Sequence, residues 1–388
     1  MNTASKRPKA LSNTESQHYV SLGGLFEDAL RKRIFSGASL LVGNPREILF
    51  HRTWGCCHAG GNPIDSWTRF DLASLTKPLV TAPLYIRSIS RGKIDLDDPL
   101  GRFFPAAVVP ADKRGITIRH LLNHCSGLPP YKPFFLELIA VPASEKRNHL
   151  LRRILDEPLL SPPGSEARYS DLGFQLLGII LETVWDKPLD HLASEIFPEE
   201  ALGFYRLQVP SNPTIPSERL SDAVVSFAAT EFCPWRNRLL EGEVHDENAY
   251  SMGGVAGHAG LFGTARGIYG FISSLWSVYG HKAESSEWPR DLLDLFWTRQ
   301  NIIRDSTWAL GFDTPSDTGS SAGVYFSPRS VGHLGFTGTS FWMDLDREIL
   351  IILLTNRVYP TRENERMREF RPLLHNTVME AHHASSRH

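Results

Sequence analysis

The sequence predicts an α+β fold: an antiparallel β-sheet flanked by N- and C-terminal helices, carrying an inserted, mostly helical subdomain. Three observations predict it. Two β-rich runs near the start flank a Gly-Asn-Pro turn, and a second strand pair lies near the end. Between them the apolar residues fall mainly at helical spacing.

Residues 1–18 are polar and aperiodic and read as a disordered tail. In "LGGLFEDALRKRIFSG", Leu25, Phe26, Leu30 and Ile34 share a helical face, with a stop expected at Gly37. "ASLLVGNPREILFHRTWG" reads as a hairpin about Gly43-Asn44-Pro45. "FDLASLTKPLVTAPL", residues 70–84, reads as a buried helix starting near Ser74. Pro78 is tolerated in a first turn, where its missing N–H costs least, and Pro83 predicts a kink. "ITIRHLLNHCSGLPP", "LGFQLLGIILETVW" and "TARGIYGFISSLWSVYG" supply the helical middle. "TSFWMDLDREILIILLTNRV" is a second strand pair around Asp346-Arg347-Glu348, and an amphipathic helix follows from Arg366 to Ala381. The expected organisation is a sheet subdomain from residues 19–94 and 290–383 and a helical subdomain from 95–289, with the active site between them.

Composition narrows the function classes. The chain has 388 residues, 41% of them hydrophobic, enough for a large core. A formal net charge of −2 gives no field that favours nucleic acid or an anionic membrane surface. The longest aliphatic run, Ile349 to Leu354, is too short to span a bilayer. The first twenty residues show neither an apolar core nor a small-residue cleavage site, so a cytoplasmic location is expected, or a periplasmic one if a leader has been trimmed. Cys56, Cys57, Cys125 and Cys233 make no disulfide framework in a chain this size and read as free thiols. There is no CxxC, no GxSxG elbow, no GxGxxG and no P-loop, which argues against a zinc ribbon, an α/β-hydrolase and a nucleotide-binding fold. No cofactor is expected, and the oligomeric state is left open.

The chemistry centres on Ser74 and Lys77. Three residues apart on a helix, they lie on one face, with the amine in reach of the hydroxyl. Among Leu72, Leu75, Leu79 and Val80 a desolvated lysine has its charged form disfavoured, so a neutral amine able to accept a proton is expected. Two later segments strengthen the reading. Tyr169-Ser170-Asp171 precedes a helix, with Ser170 or Asp171 as its cap. His333-Leu334-Gly335 opens a strand-like stretch whose glycines allow close approach of a backbone or ligand. Singly, Tyr169 fits a core tyrosine and His333 a strand-end histidine; their order along the chain carries the weight.

That order resembles the class C β-lactamase-like serine hydrolases, a superfamily that includes D-Ala-D-Ala carboxypeptidases, D-aminopeptidases and esterases. The phrases "FDLASLTKP", "GKIDLDDPLGRFFP", "ITIRHLLNHCSGLP", "YSDLGFQLLG", "GGVAGHAGLFGTA" and "GHLGFTGTSFWMD" carry the resemblance over residues 22–380. It implies an acyl-enzyme on Ser74, with Lys77 and Tyr169 sharing base and acid roles. Backbone N–H groups of Ser74 and Phe336 would form the oxyanion hole. His333 and Gly335 would line the substrate, His333 standing where many relatives grip a carboxylate with a cationic lysine. Two departures count against β-lactamase activity: Asp171 replaces an asparagine and cannot donate to an amide carbonyl when ionised, and His333 is only fractionally charged near neutrality. Carboxylic esters are therefore expected first, D-amino-acid peptides next and penicillins third. A catalytically silent binder of peptidoglycan fragments is the rival, though it needs no desolvated lysine.

"EVHDENAYSMGGVAGHAGLF" clusters His245, Asp246, Glu247 and His258. The spacing is not HExxH, and adjacent side chains rarely serve one ion, so no metal is expected. The stretch reads better as a loop reaching the active site, with Glu247 or His258 contacting substrate, or as a capped structural loop.

Overall fold

The computed structural model describes residues 19–197, 201–219, 225–280 and 285–385; the expected tail at 1–18 lies outside them. The hairpin strands β1 (Gly37–Gly43) and β2 (Ile48–Gly55) join β3 (Ser330–Leu334), β4 (Ser340–Asp344) and β5 (Ile349–Thr355) in one antiparallel sheet of order β3-β4-β5-β1-β2. The first strand thus pairs with the last, from Ala38 opposite Thr355 to Gly43 opposite Leu350. Both central strands are buried on both faces, which is why they read as continuous aliphatic runs.

The helices that matter here are α1 (Val20–Arg31), α2 (Ala82–Ser90), α3 (Asp171–Trp185), α4 (Glu247–Ser251), α5 (Ala265–Gly280) and α6 (Met367–Ser385). Period-two alternation sends Leu40, Val42, Ile351 and Leu353 into a core with α1 and α6, where Phe26 stacks on Trp54 at 3.9 Å. Leu41, Ile352 and Leu354 face the other way, into the core shared with α5 and the helical middle. The α+β class with terminal helices over an antiparallel sheet is what the sequence predicts.

Two local expectations change. Helix α1 ends at Arg31, not near Gly37, because Arg33 turns left-handed (φ 53°) and sends Ile34 and Phe35 into the core; Gly37 opens β1 instead. At the nucleophile segment the helix is not regular from Ser74 onward. A 3₁₀ turn, Ala73–Leu75, leads into a π-helical stretch, Lys77–Thr81, before α2 begins. Pro83 falls at the second position of α2, so the irregularity expected there as a kink lies just upstream as the π stretch. Among the described residues no helix is long and apolar enough to cross a membrane.

Candidate active site

Ser74 is held by its neighbours in sequence. Phe70 and Asp71 pair with Leu261–Gly263 in a small sheet, and the buried Asp71 carboxylate then accepts from the Ala73 amide at 2.8 Å and the His245 amide at 2.6 Å. That clamp fixes Ala73 at φ 48°, a left-handed conformation costly for a residue with a Cβ. The chain reverses there and leaves Ser74 part-exposed in an otherwise buried segment.

Two side chains meet at the serine. Lys77 Nζ lies 2.9 Å from Ser74 Oγ, and Tyr169 Oη lies 2.7 Å from it. The ammonium, fully buried, also donates to the His258 carbonyl at 3.2 Å and stands 2.8 Å from Asp171 Oδ1. Two hydrogen bonds and one ion pair therefore hold the ammonium. Burial works against the charge on Lys77, but Asp171 and Tyr169 outweigh it, and the amine's pKa lies above its ordinary value. The expectation of a neutral lysine is corrected here: the aliphatic neighbours desolvate it as expected, but a carboxylate 94 residues away in sequence supplies the counter-charge. Asp171 is in turn committed to Lys77, where a free contact to substrate was expected.

Tyr169 is placed by the turn before α3. Ser170 is the N-cap, its Oγ accepting from Gly173 N at 3.2 Å, and Asp171 N donates to the Pro130 carbonyl at 2.9 Å. His124 backs the tyrosine with ring centroids 4.6 Å apart, and its Nδ1 accepts from the Ser170 amide at 3.1 Å. Burial raises the phenol's pKa despite the nearby Lys77.

The strand beside the nucleophile is tied to it. Thr337 Oγ1 donates to the Asp71 carbonyl at 2.7 Å and Thr339 Oγ1 to the Leu72 carbonyl at 3.2 Å. Gly335 is required by this closeness, since a Cβ there would lie 2.0 Å from Thr339 Oγ1 and 2.7 Å from the Leu72 carbonyl. Gly335→Ala is expected to cost about 1–3 kcal/mol in urea denaturation, an overpacking penalty, and to lower acylation by displacing the neighbouring Phe336 amide.

His333 is corrected as an anchor for carboxylates. It is buried, its Nδ1 donates to the Leu334 carbonyl at 2.7 Å, and burial together with Lys77 pushes its pKa down to about 3. It is a neutral imidazole at neutral pH.

A cavity of about 750 Å³ opens over Ser74 and brings Tyr169, Asp171, Glu247, His258, Gly335 and Phe336 to one surface. The second constellation of the sequence disperses around it. His258 sits 3.0 Å from Asp246 Oδ1, Glu247 is paired with Arg362 at 2.5 Å, and His245 faces Glu231 at 3.3 Å. Asp246 caps α4 through the Ala249 amide. Burial would raise the Asp246 pKa, but His258 and that amide hold it well below the usual carboxylate range. Among the described residues one group has ligand atoms close enough together for a metal, Glu231, Cys233 and Glu247, and the Arg362 guanidinium already bridges its two carboxylates. Sequence reading missed Asp71, His124 and the arginines of this cavity; a buried aspartate three residues before the serine was the one local signal available.

A five-stranded antiparallel sheet with helices on both faces and a Ser-Lys-Tyr cluster at its edge defines a β-lactamase/transpeptidase-type protein. The family described as Beta-lactamase matches residues 23–375, and the chain belongs to that family. A protein of Escherichia coli (strain K12) named "Putative D-alanyl-D-alanine carboxypeptidase" is 28% identical over 351 residues, covering 83% of this chain and 79% of that one. Among solved structures, EstCE1, "a hydrolase with promiscuous acyltransferase activity", superposes with a TM-score of 0.67 at 20% identity, covering 93% of this chain and all of that one. The octameric penicillin-binding protein homologue from Pyrococcus abyssi gives 0.67 at 18% identity, over 91% and 77% of the two chains. These structural likenesses bear on fold. Family membership and the carboxypeptidase-named relatives support a function of the serine-hydrolase type.

Proposed function

We propose that the protein is a serine hydrolase that forms an acyl-enzyme on Ser74, with carboxylic esters as the first substrate class and D-amino-acid peptides as the second. The observation that carries this reading is the double contact at Ser74 Oγ, 2.9 Å from Lys77 Nζ and 2.7 Å from Tyr169 Oη, beneath an open cavity.

In the resting site both lone pairs of Ser74 Oγ accept hydrogen bonds, so its own hydrogen is unengaged and can turn toward Lys77 only once the amine stops donating. Lys77 hands a proton to Asp171, 2.8 Å away, and as a neutral amine takes the serine proton while Oγ bonds to the acyl carbon. The carbonyl oxygen gains negative charge, which the Ser74 and Phe336 amides receive. Tyr169 donates its phenolic proton to the leaving oxygen as the acyl–oxygen bond breaks, and water reverses the sequence to release the acid. A carboxylate at Asp171 committed to Lys77 offers no donor to a substrate amide, which favours esters over penicillins. The carboxypeptidase-named relatives lend support to the peptide class.

The test is intact mass after exposure to an activated short-chain ester, a D-Ala-D-Ala thioester and a penicillin. The ester is expected to acylate fastest. Penicillin in first place would reverse the ranking, and no adduct from folded protein would favour a silent binder. Tyr169→Phe is expected to lower kcat by about 10²–10⁴-fold, the usual worth of a positioned acid, with KM changed little.

A further inference from the structure

Of the groups that hold the Lys77 amine, Ser74 and Asp171 belong to the chemistry already described. The other, the His258 carbonyl at 3.2 Å, lies on a segment with few side chains of its own. From residue 256 to residue 260 the sequence reads Ala-Gly-His-Ala-Gly, so the histidine is its one large group. The segment is stitched to the nucleophile segment on either side. Thr81 Oγ1 donates to the Gly257 carbonyl at 2.6 Å, and the Leu261 amide donates to Thr76 Oγ1 at 3.2 Å. Gly257 comes so close to α3 that a Cβ would lie 2.2 Å from the Phe174 carbonyl, and Gly260 takes φ 110°. Glycines allow these approaches but leave the backbone permissive, so the His258 side chain is the group with the reach to fix the peptide between the stitches. That ring is 1% exposed. Its Nε2 meets Asp246 Oδ1 at 3.0 Å, with the Gln175 amide nitrogen of α3 at 3.4 Å, and no protein group engages its Nδ1. The same Asp246 oxygen accepts from the Ala249 amide at 2.7 Å, so one carboxylate oxygen both caps α4 and holds the ring.

We propose that Asp246 and His258 are a positioning pair for acylation. Asp246 fixes the imidazole, the imidazole fixes its own peptide, and the His258 carbonyl aims the Lys77 amine at Ser74 Oγ. Both act through Lys77 rather than on the reacting atoms. A packing role alone would cost stability and leave the rate of the folded enzyme intact. A displaced amine instead slows proton transfer from Ser74 while the cavity still takes substrate, so the loss falls on kcat. The roles of Ser74 and Lys77 rest on the hydrolase reading; the linkage from Asp246 through His258 to Lys77 does not.

Asp246→Ser isolates the pair, since serine is a good helix cap yet too short to reach the ring. With the activated short-chain ester it is expected to lower kcat about 10–100-fold and to leave KM within about twofold, the effect of moving a reacting group by about 1 Å. His258→Ala should show a similar loss, and the double variant no further one, because residues that act as a unit are not additive. Asp246→Asn keeps an oxygen for both the cap and the ring and should retain most of the rate. Losses that multiply in the double variant, a change confined to KM, or equal losses in Asp246→Asn and Asp246→Ser would overturn the proposal. Should His258→Ala fail to fold, the comparison of Asp246→Asn with Asp246→Ser decides. Crystal structures separate this inference from the hydrolase reading. In Asp246→Ser the distance from Lys77 Nζ to Ser74 Oγ, 2.9 Å in the unaltered protein, is expected to lengthen by about 0.5–1 Å. That lengthening, where the unaltered protein turns over no ester, sinks the hydrolase reading alone. An unchanged distance sinks this inference whatever the turnover.

Discussion

Ser74→Ala protein is expected to form no covalent adduct with any acylating probe and to lose about 10⁵-fold in kcat/KM. The magnitude follows from what is removed: without Oγ no acyl-enzyme exists, and only binding and the oxyanion amides remain to accelerate direct attack by water. Folding does not confound the result. Ser74 is part-exposed, so water can replace Oγ as acceptor for Lys77 and Tyr169, and urea denaturation should shift by no more than about 1 kcal/mol. Residual adduct in the variant, at the same mass and rate, would place the nucleophile elsewhere.

Asp171→Asn is expected to have the largest effect on stability. Lys77 is wholly buried, and removing one partner of such a pair costs about 3–5 kcal/mol because the other charge is left uncompensated. The pH dependence distinguishes this cause from general damage. In the unaltered protein the Lys77 pKa is raised above its ordinary 10.5, so its stabilising contribution is complete below that value and is lost only as pH climbs through the raised one. With Asp171 gone, burial is the dominant influence and the folded pKa drops below 10.5. The unfolded chain then binds the extra proton, and stability rises with pH, by up to about 1.4 kcal/mol per unit, until the ordinary value is reached. Urea denaturation at pH 7 and pH 9.5 reads the difference. A loss of equal size at both pH values would mean that the ion pair does not govern Lys77.

Much of this was legible in the sequence because it was written locally. The hairpin at Gly43-Asn44-Pro45, the strands ending in "ILIILLT" and the Ser170 cap each depend on residues within one turn or one pleat of each other. Ser74, Lys77 and Tyr169 were legible from their order. The protonation of the site was not, because it depends on Asp171 reaching Lys77 across the fold, and single-sequence reasoning sees the desolvation by Leu75 and Leu79 but not the counter-charge. Arg371, one of the arginines lining the cavity, was hidden for a different reason. Its spacing in "MREFRPLLHNTVMEA" suits one face of an amphipathic helix, and nothing local marks it as facing a cavity rather than solvent. The π-helical stretch at Lys77–Thr81 escaped because two prolines five residues apart are compatible with either a kink or a locally widened helix.

The pairing of β1 with β5 has a consequence for the protein's synthesis. Ala38 leaves the ribosome before its partner Thr355 and the whole helical middle lies between them, so the centre of the sheet closes only after that middle has been made. Until then β1 presents a largely apolar strand with an open edge, the kind of segment that pairs with neighbouring chains. The helical middle, rich in short-range contacts, can collapse first, and closing so long a loop afterwards is slow in rate while adding little to its final free-energy cost. Nascent chains should accordingly be the stage most dependent on chaperones, and C-terminal truncations that reach β5 should yield insoluble protein rather than a partly active one.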